Sequence, residues 1–187
     1  MLEVEMKFPV TDFAPLRALF LKWGVLAYKP WNEVDHYFNA PDRDFVQTDE
    51  ALRIRRRGFL NYITYKGPKC DAITKSRTEI EVGLGDGDRT FEDLGRVLVH
   101  LGYRPSGIVQ KHREVYELRR NGFTLEVCLD DVVGLGLYVE VEIQATERQF
   151  EKAKETLLEA AAALGLKDSE RRSYLAMLLE AQEGKKP

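Results

Sequence analysis

The sequence predicts an α+β fold in which eight strands close into a barrel, with helices outside and charged side chains inside. Three observations lead there. Eight short segments alternate apolar and polar residues with period two. Their polar positions are largely Asp, Glu, Lys or Arg, partly sorted by sign from strand to strand. Four segments of helical period are available to cover the apolar face.

The first strand, at 2–8, contains EVEMK. Side chains of a strand alternate between its faces, so Glu3, Glu5 and Lys7 share one face while Val4, Met6 and Phe8 share the other. A helix follows: Thr11 or Asp12 caps it, Leu16, Leu19, Phe20 and Trp23 form its apolar stripe, and Gly24 stops it. A second strand spans 33–39. The third, at 51–57, sets Arg53, Arg55 and Arg57 on one face and Leu52 and Ile54 on the other; the fourth, at 60–66, aligns Tyr62, Thr64 and Lys66. In the fifth, at 75–82, Lys75, Arg77, Glu79 and Glu81 form one row. GLGDGD at 83–88 then reads as a flexible turn, because it matches neither the phosphate-loop nor the calcium-loop spacing. Asp88 or Thr90 caps the next helix, with Phe91, Leu94, Val97, Leu98 and Leu101 on its stripe and Gly102 at its end. The sixth strand, at 109–118, aligns Lys111, Arg113 and Val115; the seventh, at 123–130, Glu126, Cys128 and Asp130; the eighth, at 137–144, Glu140 and Glu142. The reverse faces of the last two are apolar, with Leu125, Val127 and Leu129 on one and Val139, Val141 and Ile143 on the other. Thr146 and Gln149 make a capping box ahead of a third helix carrying Phe150, Leu157, Leu158, Ala161 and Leu164. A last helix is expected from Asp168 or Ser169.

The chain has 187 residues, 44% hydrophobic and 32% charged, which suits one well-buried domain over 1–187 and is short for two. A net charge of −3 argues against a protein that coats nucleic acid or an anionic membrane. There is no basic-then-apolar leader, and no apolar run approaches the roughly 20 residues that span a bilayer, so a cytoplasmic protein without membrane contact is expected. Cys70 and Cys128 stand alone, in keeping with a reducing compartment, and His36, His100 and His112 have no metal-binding spacing.

An open sheet with one wet face would display mixed polar residues. Here the polar face is ionic in strand after strand, which independent surface decoration explains poorly, although RIRRR alone would suit a solvated edge and YVEVEI alone an edge guarded by charge. Closing the sheet turns this face inward. Ions enclosed without partners are very costly, so the lumen has to hold water, ion pairs or a charged ligand. Arg forks and Lys ammonium groups suit phosphate oxygens, and carboxylates suit hard cations such as Mg2+ or Mn2+, which bridge phosphates. Both kinds in one cavity describe a metal-nucleotide or metal-triphosphate site.

EVEMK also reproduces the ExExK signature of the CYTH superfamily, the triphosphate tunnel metalloenzymes, and the chain resembles that family over nearly its whole length. DHYFNAP at 35–41, ALRIRR at 51–56, TYKGP at 64–68, RTEIE at 77–81, KHR at 111–113, LDDVVGLG at 129–136, YVEVE at 138–142 and RRSY at 171–174 are similar to its class IV adenylyl cyclase branch. The resemblance implies an eight-stranded antiparallel barrel around a charged tunnel. It implies metal ligation by Glu3, Glu5, Glu140 and Glu142, with Asp130 joining them or orienting a water. It further implies that Lys7, Arg53, Lys66, Lys111 and Arg113 bind the triphosphate, that Arg55, Arg77, Glu79 and Glu81 form a second tier, and that Asp130, Lys111 and Arg113 serve the catalytic step. Two reactions fit one grip: attack of the ATP 3'-hydroxyl on the α-phosphorus, giving cyclic AMP and pyrophosphate, or attack of water on the γ-phosphorus of inorganic, thiamine or nucleoside triphosphate. The GLG hairpin and the RRSY ending favour the cyclase. A non-catalytic polyphosphate-binding module ranks third, and nucleic acid is not an expected partner. The same branch implies a C-terminal helix at RRSY, for which a purely structural role is expected ahead of closing the barrel or supporting a homodimer. Neutralising Glu140 or Glu5 is expected to relieve like-charge strain in the empty barrel.

Overall fold

Period-two alternation is realised in eight strands: β1 (Leu2–Pro9), β2 (Trp31–Asn39), β3 (Ala51–Arg57), β4 (Leu60–Lys66), β5 (Arg77–Gly83), β6 (Arg104–Arg120), β7 (Phe123–Val132) and β8 (Gly136–Ala145). They belong to a computed structural model that describes residues 2–184. All pairings are antiparallel, in the order β1-β5-β4-β3-β2-β6-β7-β8, and β8 returns to β1 to close the barrel. Five helices lie outside it: α1 (Ala14–Lys22), α2 (Phe45–Thr48), α3 (Asp88–His100), α4 (Phe150–Ala163) and α5 (Tyr174–Glu183). The sequence-predicted architecture is therefore present, with β6 extended well beyond its expected ends. Asn121 and Gly122 join β6 to β7 with φ of 52° and 86°, the paired left-handed conformation that a tight hairpin needs to match strand twist.

Most of the apolar core sits in two clusters between the sheet and the helices, outside the barrel; a third and smaller one joins Tyr174 and Met177 of α5 to Val109 of β6 and Val132 of β7. Val4, Met6 and Phe8 of β1 join Leu125, Val127 and Leu129 of β7 and Val139, Val141 and Ile143 of β8; Leu16 and Phe20 of α1 and Leu157 and Ala161 of α4 cover them. On the other flank, Phe38, Leu52 and Ile54 are covered by Phe45 of α2 and by Phe91 and Leu98 of α3. His36 points to this outer layer, edge-on to Phe91 at 4.6 Å, so it is a packing residue. With both helical layers spent on the outer face, the inner face keeps its charges.

Helix starts differ from expectation where the chain has a second task. α1 follows Phe13 without a side-chain cap, while Asp12 Oδ1 accepts from Ala14 N at 2.9 Å. Gly87, at φ 88°, takes the cap position of α3, which leaves Asp88 as a first-turn acid facing the helix dipole. The last helix begins at Tyr174, capped by Ser173 Oγ accepting from Ala176 N at 3.0 Å, and not at Asp168 or Ser169. Asp168 is left-handed at φ 59°, and the residues after it run across the barrel end, where Glu170 N donates to Lys7 O at 2.7 Å. α5 then packs so close to β6 that a Cβ on Gly107 would lie 2.5 Å from Leu175 Cδ1.

One seam is thin. β1 pairs with β8 from Leu2 to Pro9, but with β5 only at Leu2–Thr78 and Glu3–Arg77. The loop before β5 continues the seam, with Lys75 N donating to Glu5 O at 2.9 Å, and is itself tied by Cys70 N donating to Ser76 O at 2.8 Å. Lys75 thus precedes the strand that was expected to contain it, yet it remains buried against the lumen.

Candidate active site in the barrel lumen

Side chains from all eight strands line a cavity of about 1490 Å³. Bases come from β3 (Arg53, Arg55, Arg57), β4 (Lys66), β5 and its preceding loop (Arg77, Lys75) and β6 (Lys111, Arg113); Glu3 and Glu5 of β1 and Glu140 and Glu142 of β8 supply acids. Period two dictates this inward set, because the residues between them are committed to the outer core.

Most of these charges are already paired. Arg113 makes a bidentate contact to Asp130, at 2.6 and 2.5 Å, and reaches Glu140 at 2.5 Å. Arg55 forks onto Asp35 at 2.7 Å through two nitrogens and lies 3.1 Å from Glu33. Lys111 is 3.1 Å from Glu33 and 3.3 Å from Asp130. Lys66 bridges Glu3 and Glu79, each at 2.6 Å, and Lys75 pairs with Glu5. Burial alone would push the Glu140 and Glu33 carboxyls up; Arg113 and Lys111 beside Glu140, and Lys111 and Arg55 beside Glu33, hold both well below the usual carboxylate range. Glu33 and Asp35 were not among the residues singled out from the sequence. The signal was available: in β2 the alternation Trp31, Glu33, Asp35, Tyr37 faces the lumen, as in its neighbours.

Two cations stand apart. Arg77 is buried, its Nε has no partner, and among the described residues it forms no ion pair. Arg53 has only long contacts, to the Tyr37 hydroxyl at 3.4 Å, Asp35 at 3.5 Å and Glu79 at 4.0 Å, and its Nε is likewise unpartnered. Arg57 also has no carboxylate within ion-pair distance among the described residues, but it is held by the Trp31 and Tyr62 rings; Arg77 and Arg53, each with an unpartnered Nε, are the guanidinium groups best placed to meet an anion.

Lys7 and Asp130 are not brought to the cavity wall. Both are fully buried. Asp130 accepts from Arg113, Lys111 and the Tyr174 hydroxyl, the last at 3.0 Å, so its oxygens are occupied. Lys7 Nζ donates to Arg172 O at 2.5 Å and lies 4.1 Å from the Tyr174 ring centroid. The RRSY segment and the start of α5 therefore pack against the barrel end toward which β1 runs, through Arg172 and Tyr174.

Among the described residues, no three His, Cys, Asp or Glu side chains converge closely enough to hold a metal ion as they stand. The glutamates of β1 and β8 nonetheless fit a hard divalent cation. Their donors are all carboxylate oxygen, and Glu142 has no cation within ion-pair distance among the described residues. Burial, reinforced by Glu3, Glu5 and Glu126, pushes the Glu142 carboxyl well up. In the sheet register Glu5, Glu142 and Glu126 lie side by side on β1, β8 and β7. A bound cation would relieve that repulsion. The like-charge strain consequently centres on Glu142. Glu5 and Glu140, where it was expected, are balanced by Lys75 and Arg113.

No helix among the described residues is long and apolar enough to cross a membrane. Comparisons with known proteins agree with this geometry. A Methanocaldococcus jannaschii protein named "Putative adenylate cyclase MJ0240" is 37% identical over 180 residues, covering 95% of this chain and 98% of its own. The solved PH1819 protein of Pyrococcus horikoshii superposes with a TM-score of 0.84 at 35% identity, over 96% of this chain and 99% of that one. HpAC1 of Hippeastrum, called a "Putative adenylyl cyclase" that "reveals a dominant triphophatase activity", shares the fold with a TM-score of 0.64 at 18% identity, over 96% and 95% of the two chains. The CYTH domain family matches residues 1–174, which takes in every strand, the charged lumen and Tyr174, and the chain belongs to that family.

Proposed function

We propose that this chain is a metal-dependent enzyme acting on a triphosphate held in the barrel, and that it converts ATP to cyclic AMP and pyrophosphate. The observation that carries the triphosphate reading is the buried, unpartnered Arg77 in a cavity ringed by further bases. An isolated guanidinium there is costly unless a polyanion arrives to meet it. Arg77 and Arg53 would take phosphate oxygens first; Arg55, Lys66, Lys111 and Arg113 would follow by exchanging carboxylate partners for phosphate. Asp130 orients Arg113 and Lys111, and Lys7 contributes positive potential from behind the wall. Glu3, Glu5, Glu140 and Glu142 would hold Mg2+ or Mn2+, which neutralises charge on the phosphate oxygens. The adenylate cyclase name of the Methanocaldococcus relative, similar over nearly the full chain, supports the cyclase.

The description of HpAC1 favours a second reading, hydrolysis of a triphosphate by the same residues. Product analysis separates them. With ATP and Mg2+ or Mn2+ the cyclase yields cyclic AMP and pyrophosphate, and 3'-deoxy-ATP binds without cyclising because it lacks the nucleophile. Orthophosphate release from inorganic or thiamine triphosphate, with no cyclic AMP from ATP, would replace the cyclase by the triphosphatase.

A further inference from the structure

The geometry points to Trp31 as the platform that receives the planar base of a nucleoside triphosphate, with Arg57 and Tyr62 stacked behind it. This rests on the triphosphate reading of the lumen and deepens it by locating where an organic group is read. Trp31 opens β2 and lines the cavity, only partly buried, yet it belongs to none of the three apolar clusters. A large aromatic ring among charges, contributing to no core, is an unusual use of Trp. Its position is fixed on one side by the phosphate-binding cations: Nε1 donates to Glu33 Oε1 at 2.8 Å, and Glu33 Oε2 is 3.1 Å from both Arg55 and Lys111. On the other side the Arg57 guanidinium lies 5.0 Å from the Trp31 ring and 5.0 Å from the Tyr62 ring, and donates to the Tyr62 hydroxyl at 2.8 Å. Arg57 differs from Arg55 in having no carboxylate within ion-pair distance among the described residues; aromatic faces alone accompany its charge.

The set is therefore a run of flat groups, indole, guanidinium and phenol, beside the bases that would hold the phosphates: Trp31 pairs across strands with Arg113, Tyr62 with Arg55, and Arg57 is two residues beyond Arg55 on the same face. A nucleotide gripped by Arg55 and Lys111 and pointing outward would bring its base to the Trp31 ring. Bases stack on aromatic and guanidinium planes with little demand on sequence or hydrogen-bond pattern. Inorganic triphosphate has nothing to place there.

Calorimetric titration of 3'-deoxy-ATP and of inorganic triphosphate, each with Mg2+, into wild type, Trp31→Ala and Trp31→Phe tests this. Trp31→Ala should weaken 3'-deoxy-ATP about tenfold, the scale of a lost stacking contact, and leave inorganic triphosphate within about twofold; Trp31→Phe should recover most of the loss. Because Trp23 is the other of the chain's 2 tryptophans, a Trp23→Phe background isolates Trp31 fluorescence. The nucleotide should quench it and inorganic triphosphate should not. Equal weakening of both ligands, no effect on either, or unchanged fluorescence with the nucleotide bound would overturn the platform while leaving the lumen reading intact. If wild type binds neither ligand, the lumen reading fails and the platform with it.

Discussion

Arg77 and Glu142 are lumen charges of opposite sign that find no ion-pair partner among the described residues. Replacing Arg77 with Met removes a buried guanidinium whose Nε has no partner, so the ligand-free protein should keep or gain thermal stability while its response to inorganic triphosphate weakens. A melting-temperature series with and without triphosphate reads both effects; a destabilised variant whose response is undiminished would place the phosphate elsewhere. Glu142→Gln should also raise the melting temperature of the metal-free protein, because its carboxyl is pushed up by burial and by neighbouring glutamates. Glu140→Gln should lower it, since Arg113 would lose a partner at 2.5 Å. Lys7 gives a pH signature. Burial and Lys75 bring it down to about 7, whereas the unfolded chain holds it near 10.5. Its contribution is present in full above the unfolded value and is lost as pH falls through about 7, because the unfolded chain binds the extra proton across that window. Between pH 7 and 10 the stability difference between wild type and Lys7→Met should therefore rise with pH, by at most about 1.4 kcal/mol per unit. Denaturant titrations at several pH values measure it, and a pH-independent difference would contradict the depressed lysine.

Strands were legible in the sequence because their two faces carry unlike chemistry. In β3 the alternation of Leu52 and Ile54 with Arg53, Arg55 and Arg57 leaves no second way to orient the element once one face is buried. Trp31 was less legible, because β2 begins two residues before its expected start, whereas Glu33 lay within the expected strand and its alternation with Asp35 was there to be read. α2 offers four residues, too few to display a period, and its cap by Asp44 is visible only with the fold in hand. The late start of α5 was hidden for a different reason: its preceding residues are ordered by a tertiary contact to Lys7, which local pattern does not encode. α4 is the clearest test of the outer core. Leu157 is fully buried among residues from α1, β1, β7 and β8, so Leu157→Ala should cost about 2–5 kcal/mol by chemical denaturation without altering ligand specificity. A loss below 1 kcal/mol would mean that the outer layer is loosely packed.

At the scale of the whole molecule the protein is an inverted barrel: apolar outside under helices, ionic inside. The sorting of acids onto β1 and β8 and bases onto β3 and β6 was readable from strand alternation; the pairing that masks most of those charges was not, because partners such as Arg113 and Asp130 meet only through the β6–β7 register. That pairing sets how the barrel should respond to ligands. A short anion can engage one or two of the unpaired guanidinium groups, whereas a chain of phosphates can displace several carboxylates at once and gain from each exchange. Calorimetric titration of the purified protein with inorganic triphosphate, and in parallel with orthophosphate, tests this most directly. The account predicts one triphosphate site per chain, affinity that falls with added salt, and no comparable heat from orthophosphate. Equal binding of the two ions, or no binding of triphosphate in the presence of Mg2+ or Mn2+, would contradict it.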